Sequence, residues 1–360
     1  MLIALWKISA TRAALTVLAV LACPYLAGSD LAPGRKLFEA RCVSCHVTEA
    51  QPEVDYTELV NRVGPALTSA GSKFNPGFLR RWLVAPTPIR PAGYLPFRQV
   101  VSTPQGDRVD PSRIQPHLRL GEAEAAIVSE YLMTLRKEPN QYPIAAPNED
   151  LDPAIHFTKV LGCASCHKAK PDAGGWSAPE LYTASARLNK DWVPELVTDP
   201  VYWGPMAMPK QNVRSDQLAT VVDYLFAITG PSPEYATHPA AAPSGETAKP
   251  SSRVETIYEI FCSQCHGITG NGKGINAPMM FVSPRNHTSA QEMGPLTDDR
   301  LYAVIRYGGP AVGKSVLMPS WGAVLKDSDI RALVAHLREL SGTQQQATRS
   351  LPELLLRPGL

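Results

Sequence analysis

The 360-residue sequence predicts an all-α protein made of three tandem helical domains joined by proline-rich linkers. Three observations carry this prediction. The pattern Cys-x-x-Cys-His occurs three times, as Cys42-Val-Ser-Cys45-His46, Cys163-Ala-Ser-Cys166-His167 and Cys262-Ser-Gln-Cys265-His266. Each copy opens a segment that closes on an amphipathic stretch with apolar residues at helical spacing. No segment reads convincingly as a strand.

The elements follow in chain order. Residues 1–29 read as an export signal or an N-terminal membrane anchor. Lys7 and Arg12 make a basic start, Ala13 to Ala27 is an apolar run short for a spanning helix, and Ala27 and Ser29 are small residues that suit cleavage after Ser29. Cys23 is the one cysteine outside the motifs. Val20-Leu21-Ala22-Cys23 loosely resembles a lipoprotein box, against the plainer reading of an apolar residue in a discarded signal.

The first domain, 31–138, begins with a helix over Gly34 to Arg41 that carries Leu37 and Phe38, and ends with one over Glu122 to Leu135 that carries Ile127, Tyr131 and Leu132. Glu138 to Pro153 holds Pro139, Pro143, Pro147 and Pro153 and reads as an extended connector. The second domain, 152–230, closes on Asp216 to Ile228, with Leu218, Val222 and Leu225 on one face. A second connector, Pro231 to Ser252, is rich in Ala, Pro, Ser and Thr. The third domain, 252–342, opens on Thr256 to Phe261 and closes on Asp327 to Leu340, where Ile330, Leu333 and Leu337 share a face. Glu122, Asp216 and Asp327 sit where an acidic residue suits the helix dipole. The tail, 343–360, has no strong reading, and the unequal spacing of the motifs rules out a strict short-period solenoid.

Net charge is +2, with no basic block beyond the first residues, which argues against a nucleic-acid partner. The chain has 34 prolines and only 8 phenylalanines, a composition suited to loop-rich domains whose interior is filled by a large apolar cofactor.

The motif names that cofactor. Two thiols three positions apart reach the two vinyl groups of one porphyrin, and the next residue points an imidazole at the iron, so each copy reads as a covalent c-type haem site. The cofactor-binding candidates are Cys42, Cys45, Cys163, Cys166, Cys262 and Cys265, and the proximal iron ligands are His46, His167 and His266. A single copy could equally be a redox disulfide or part of a zinc site. Three copies, each opening a segment of similar size, argue against both. Bacterial haem attachment takes place outside the cytoplasmic membrane, consistent with the export signal, and the protein is expected to be periplasmic, soluble or anchored to the outer face of that membrane.

The order of helix, CxxCH, Pro-rich loop, middle helix, Met-Pro loop and closing helix resembles the class I cytochrome c domain over nearly all of the chain after residue 29. The resemblance implies a compact fold in which first and last helices cross above the haem. It places Tyr131 and Tyr224 at that crossing as packing aromatics, and His336 at the matching position of the third domain, where it is read as packing and not as a ligand. It also gives Pro65 and Pro179, with Pro278 as a weaker counterpart, the carbonyls that accept a hydrogen bond from the proximal histidines.

The sixth iron position separates possible jobs, because a methionine gives a closed carrier of higher potential, a second histidine a lower potential, and an open position a ligand-binding site. Met318 in Leu317-Met318-Pro319 matches the Met-Pro loop of the third domain, and Met208 before Pro209 that of the second, with Met206 read as packing. Met279, Met280 and Met293 are read as packing. The first domain has Tyr94-Leu95-Pro96-Phe97 at the corresponding place, then an insertion, Arg98 to Pro116, that delivers His117. Three readings stand: His117 as a sixth ligand, an open or weakly capped haem, and a surface histidine with no role. Trp321 is read as packing, near a haem propionate or in the core.

No acid, base or nucleophile of a self-contained enzyme is recognisable, so the chemistry belongs to the haems. The expected function is single-electron transfer by three covalently bound haems c, with redox proteins, including a membrane respiratory complex, as partners and membrane association through the N-terminal segment. The alternative is a haem enzyme or small-ligand binder that handles peroxide or nitric oxide at an open first haem.

Overall fold

A computed structural model describes residues 31–49, 59–60, 62–140, 142–204, 207–231 and 252–344. The N-terminal apolar run with Cys23, the linker residues 232–251, Met206 and the tail beyond 344 lie outside the described residues. Among the described residues no helix is long and apolar enough to cross a membrane.

The first segment holds α1 (Ala32–Arg41), α2 (Ala70–Lys73), α3 (Phe78–Val84) and α4 (Glu122–Thr134). The second holds α5 (Pro153–Ile155), which continues into a π-helical turn His156–Val160, then α6 (Ala184–Arg187), α7 (Trp192–Thr198) and α8 (Ser215–Ala227). The third holds α9 (Arg253–Phe261), α10 (Ser263–His266), α11 (Ala290–Met293), α12 (Asp298–Tyr307) and α13 (Asp327–Ser341). A capping box starts α9: Ser252 Oγ accepts from the Glu255 N–H, and the Glu255 carboxylate accepts from the Ser252 N–H.

First and last helices of a segment meet in the same way three times. In the first, Phe38 is buried against Tyr131 with ring centroids 5.7 Å apart, and Gly34 lets the backbones close, since a Cβ there would stand 2.1 Å from the Ile127 carbonyl oxygen. In the second, Phe157 packs on Tyr224 at 6.5 Å. In the third, Tyr258 packs edge-on to His336 at 5.3 Å, so His336 occupies an aromatic packing position. The aromatic faces exclude water from the crossing and anchor the closing helix over the interior.

Two features differ from the sequence expectation. The chain is helix-rich but contains two small hairpins. β1 (Val100–Thr103) pairs antiparallel with β2 (Gly106–Val109), Val100 facing Val109, and β3 (Lys168–Lys170) pairs with β4 (Ala173–Gly174). The first hairpin lies within the insertion. Its β-branched Val100, Val101 and Thr103 face a Pro-Gln-Gly turn, a strand signal that helical periodicity does not register.

The second difference is that the three segments do not pack as separate beads. Phe38, Phe74, Leu79, Val128 and Leu132 of the first segment form one core with Leu188, Trp192, Leu218 and Val222 of the second. Across that seam the chain pairs with itself reciprocally: the Asn75 N–H donates to the Arg187 carbonyl at 2.9 Å and the Asn189 N–H to the Lys73 carbonyl at 2.8 Å, with α2 against α7 and α3 against α6. Leu59, Tyr94 and Phe97 of the first segment join the core of the third. The stretch read as a connector is pinned: the Glu195 carboxylate accepts from the Asn140 and Tyr142 N–H groups, and Asn148 bonds Thr220 and Asp216 on α8. Its prolines make it extended; buried partners make it fixed.

Candidate haem sites

Each CxxCH motif is wound as one helical turn at a helix end. The His46 N–H donates to the Cys42 carbonyl at 2.9 Å, the His167 N–H to Cys163 at 3.0 Å and the His266 N–H to Cys262 at 3.0 Å. A turn of this kind puts residues i, i+3 and i+4 on one side, so both sulfurs and the imidazole of a motif face the same space. None of the six motif cysteines is in a disulfide.

The imidazoles are oriented by backbone. His46 Nδ1–H donates to the Pro65 carbonyl at 2.8 Å, His167 Nδ1–H to Pro179 at 2.7 Å and His266 Nδ1–H to Arg285 at 2.9 Å. The third acceptor corrects the expectation of Pro278, which instead lies in a short 3₁₀ turn, Ala277–Met279. A proton held on Nδ1 places the lone pair on Nε2, the state a metal-binding imidazole needs. Gly64 backs the first ring closely, since a Cβ there would come within 2.5 Å of His46 Cε1.

One cavity of about 1110 Å³ is lined by all nine motif cysteines and histidines and also by His117, Met208 and Met318. Its other walls are largely apolar, among them Phe38, Leu79, Trp82, Leu132, Trp192, Leu301, Trp321 and Leu333. Burial holds the imidazoles neutral: His46, His117 and His266 are lowered, and His167 is lowered to about 4. Burial likewise raises the thiols, Cys163 and Cys262 to about 12 and Cys42, Cys166 and Cys265 in the same direction. Among the described residues no group of three His, Cys or carboxylate side chains gathers as a cation site. Paired thiols, a neutral imidazole and a large apolar space fit a porphyrin.

The His117 ring centroid lies 6.0 Å from that of His46 and 4.5 Å from Trp82, and both imidazoles line the cavity, so one bound group could meet both. His117 Nδ1–H donates to the Leu118 carbonyl at 2.8 Å, which puts its lone pair on Nε2 as well. Met208 and Met318 are partly buried on the cavity wall, and Met318 also packs on the third core. Met293 is fully buried in that core, Met279 is exposed, and Trp321 packs edge-on to Phe261 at 5.0 Å.

Several groups beside the sites have no clear sequence signature. His287 is buried, stacked on His266 at 4.0 Å between centroids and 17° between planes, with its Nδ1 3.0 Å from Tyr258 Oη. Arg187 and Glu180 form a buried ion pair at 3.1 Å beside the second site. Lys73 and Arg90 also line the cavity, Lys73 lowered to about 7 mainly by burial, with Arg90 and Arg187 adding to the effect. The guanidinium of Arg90, which keeps its charge, suits a carboxylate of a porphyrin.

Comparison with known proteins agrees with this chemistry. Residues 250–337 match the family model of cytochrome c oxidase, cbb3-type, subunit III. Both this match and a curated relative support a c-type cytochrome. That relative is the cbb3-type cytochrome c oxidase subunit CcoP of Azospirillum sp. (strain B510), 25% identical over 146 residues, which are 39% of this chain and 41% of the relative. The match thus spans less than half of either protein. No solved structure matches the chain.

Proposed function

We propose that the protein is a three-haem c-type cytochrome that passes single electrons on the periplasmic side of the cytoplasmic membrane, within or beside a respiratory oxidase complex. The observation that carries this reading is the triple recurrence of one arrangement: a CxxCH turn, an imidazole fixed through Nδ1 to a backbone carbonyl, and an opening onto one shared apolar cavity. The domains would run over 31–138, 152–230 and 252–342, each holding one haem. Residues 1–29 would direct export or tether the chain.

When bound, haem c supplies reversible one-electron iron chemistry. The chain's own residues hold and tune it. Cys42, Cys45, Cys163, Cys166, Cys262 and Cys265 would form the thioethers, and His46, His167 and His266 would take the proximal positions. Met318 and Met208 would complete the third and second sites, and His117 the first. Apolar walls would exclude water, and the buried carbonyl bonds would keep the rings from rotating. A carrier whose groups are already in place needs little rearrangement when its charge changes. A bis-histidine first site would have the lowest potential of the three, with the methionine-capped sites above it.

The oxidase partnership draws on the cbb3-type resemblance of residues 250–337. Its test is oxygen consumption by membranes that contain a cbb3-type oxidase and are supplied with the pre-reduced protein. The expected result is oxidation of all three haems with oxygen uptake that stops when the oxidase is inhibited. Reduced protein that stays reduced beside an active oxidase would contradict the partnership and leave the haem reading standing.

A further inference from the structure

The backs of the second and third attachment turns meet, and one side chain fills the junction. Asn276 is fully buried, with 0% exposure, and all four hydrogen-bonding positions of its amide are used. Its Oδ1 accepts from the Trp176 N–H at 2.8 Å and the Ser177 N–H at 3.3 Å. Its Nδ2 donates to Ser177 Oγ at 2.8 Å and lies 3.9 Å from Cys265 Sγ. The Asn276 N–H donates to the Gln264 carbonyl at 2.8 Å, inside the third CxxCH turn.

The bonds run from one site to the other. Ser177 lies two residues before Pro179, whose carbonyl fixes His167, and the Ala178 N–H donates to the Cys166 carbonyl at 3.1 Å. On both sides glycines allow the loops to lie against the turns: a Cβ at Gly175 would come within 2.3 Å of the Ser165 carbonyl oxygen, and one at Gly274 within 2.5 Å of the Gln264 carbonyl oxygen. A sulfur of the third site and the loop that orients the proximal ligand of the second are therefore attached to the same amide. A buried, fully satisfied amide is rigid because each bond it gives up leaves a donor or acceptor unpaired in a dry interior.

We infer that Asn276 is a positioning residue shared by the second and third haem sites, setting their separation and so the rate at which one electron equilibrates between them. The inference rests on the haem reading above. In the step itself one iron is oxidised as the other is reduced, and the chain forms or breaks no bond and moves no proton.

Two variants of the holoprotein test it. Asn276→Asp keeps the acceptor half toward Trp176 and Ser177 and loses the donors to Ser177 and Cys265; Asn276→Leu loses both halves. Inter-haem equilibration after rapid partial photoreduction, the redox titration, haem content and the melting temperature are read together. The expected result is unchanged haem content, equilibration between the second and third haems slowed several-fold in Asn276→Leu and less in Asn276→Asp, and a shift in the potential of the third haem in both. A lowered melting temperature with rates and potentials equal to the parent's would reduce Asn276 to a structural residue and overturn the inference. A parent protein without haem at Cys163/Cys166 or at Cys262/Cys265 would overturn the haem reading itself, an outcome visible before any variant is made.

Discussion

Glu180→Gln removes one charge of a pair that has no access to water. The Glu180 and Arg187 side chains are 1% and 5% exposed, and the Glu180 carboxylate also accepts from the Thr183 N–H at 2.9 Å and from its hydroxyl. The Glu180 N–H donates to the Ile89 carbonyl at 2.9 Å, so the pair sits on the seam between the first two segments. Burial lowers the Arg187 pKa despite the carboxylate beside it, which means that desolvation already outweighs the attraction. Taking away the partner leaves the guanidinium uncompensated, at a cost of about 3–5 kcal/mol. For folding units of this size 1 kcal/mol moves the melting temperature by about 2–4 °C, so a fall of roughly 6–20 °C is expected. Thermal unfolding of the haem-loaded protein by circular dichroism measures it. The double variant Glu180→Gln/Arg187→Met should recover much of the loss, because no charge is then left stranded. A single variant within about 0.5 kcal/mol of the parent, the range of a surface change, would refute the buried-pair argument.

Two further outcomes follow from the cavity. His117→Ala should convert the first haem to a five-coordinate, high-spin form that binds carbon monoxide, while the other two keep their spectra; an unchanged spin state would remove His117 as a ligand. The pH dependence has one sign. Burial lowers His46, His117 and His266, and His167 to about 4, from an ordinary value of 6.5. Below 6.5 the unfolded chain binds protons that the folded chain refuses, so stability is whole above that value and is lost as the pH falls toward 4. Acid titration followed by circular dichroism and haem absorbance checks this, and stability that stays level from pH 7 to pH 4 would contradict it.

What the sequence made legible was mostly local. The CxxCH turn is a single run of neighbours whose i, i+3 and i+4 geometry needs no tertiary information, and the closing helices have clear apolar faces, while Tyr131 and Tyr224 took their place at the crossing from the resemblance. Pro65 and Pro179 came from the resemblance to the class I cytochrome c domain, which carries a proline at that place in the loop. Arg285 was not legible, because any residue can present a carbonyl, even though it stands as far from its histidine, 19 residues, as Pro65 does. His287 and Asn276 lie in loops without periodicity, and their roles come from contacts with residues far along the chain or on another segment. Proline content gave Glu138 to Pro153 its extended shape but could not show that Glu195, Thr220 and Asp216 hold it in place. The hairpin over Val100 to Val109 was written in β-branched residues, and the helical pattern on either side masked it.

The mass of the intact, purified protein decides whether haem is covalently attached. A polypeptide heavier than its mature sequence by three haem groups is expected, one of which is lost with each Cys-to-Ser replacement at Cys42/Cys45, Cys163/Cys166 or Cys262/Cys265. A mass equal to that of the bare polypeptide, or one unaffected by replacing any of these pairs, would contradict covalent attachment.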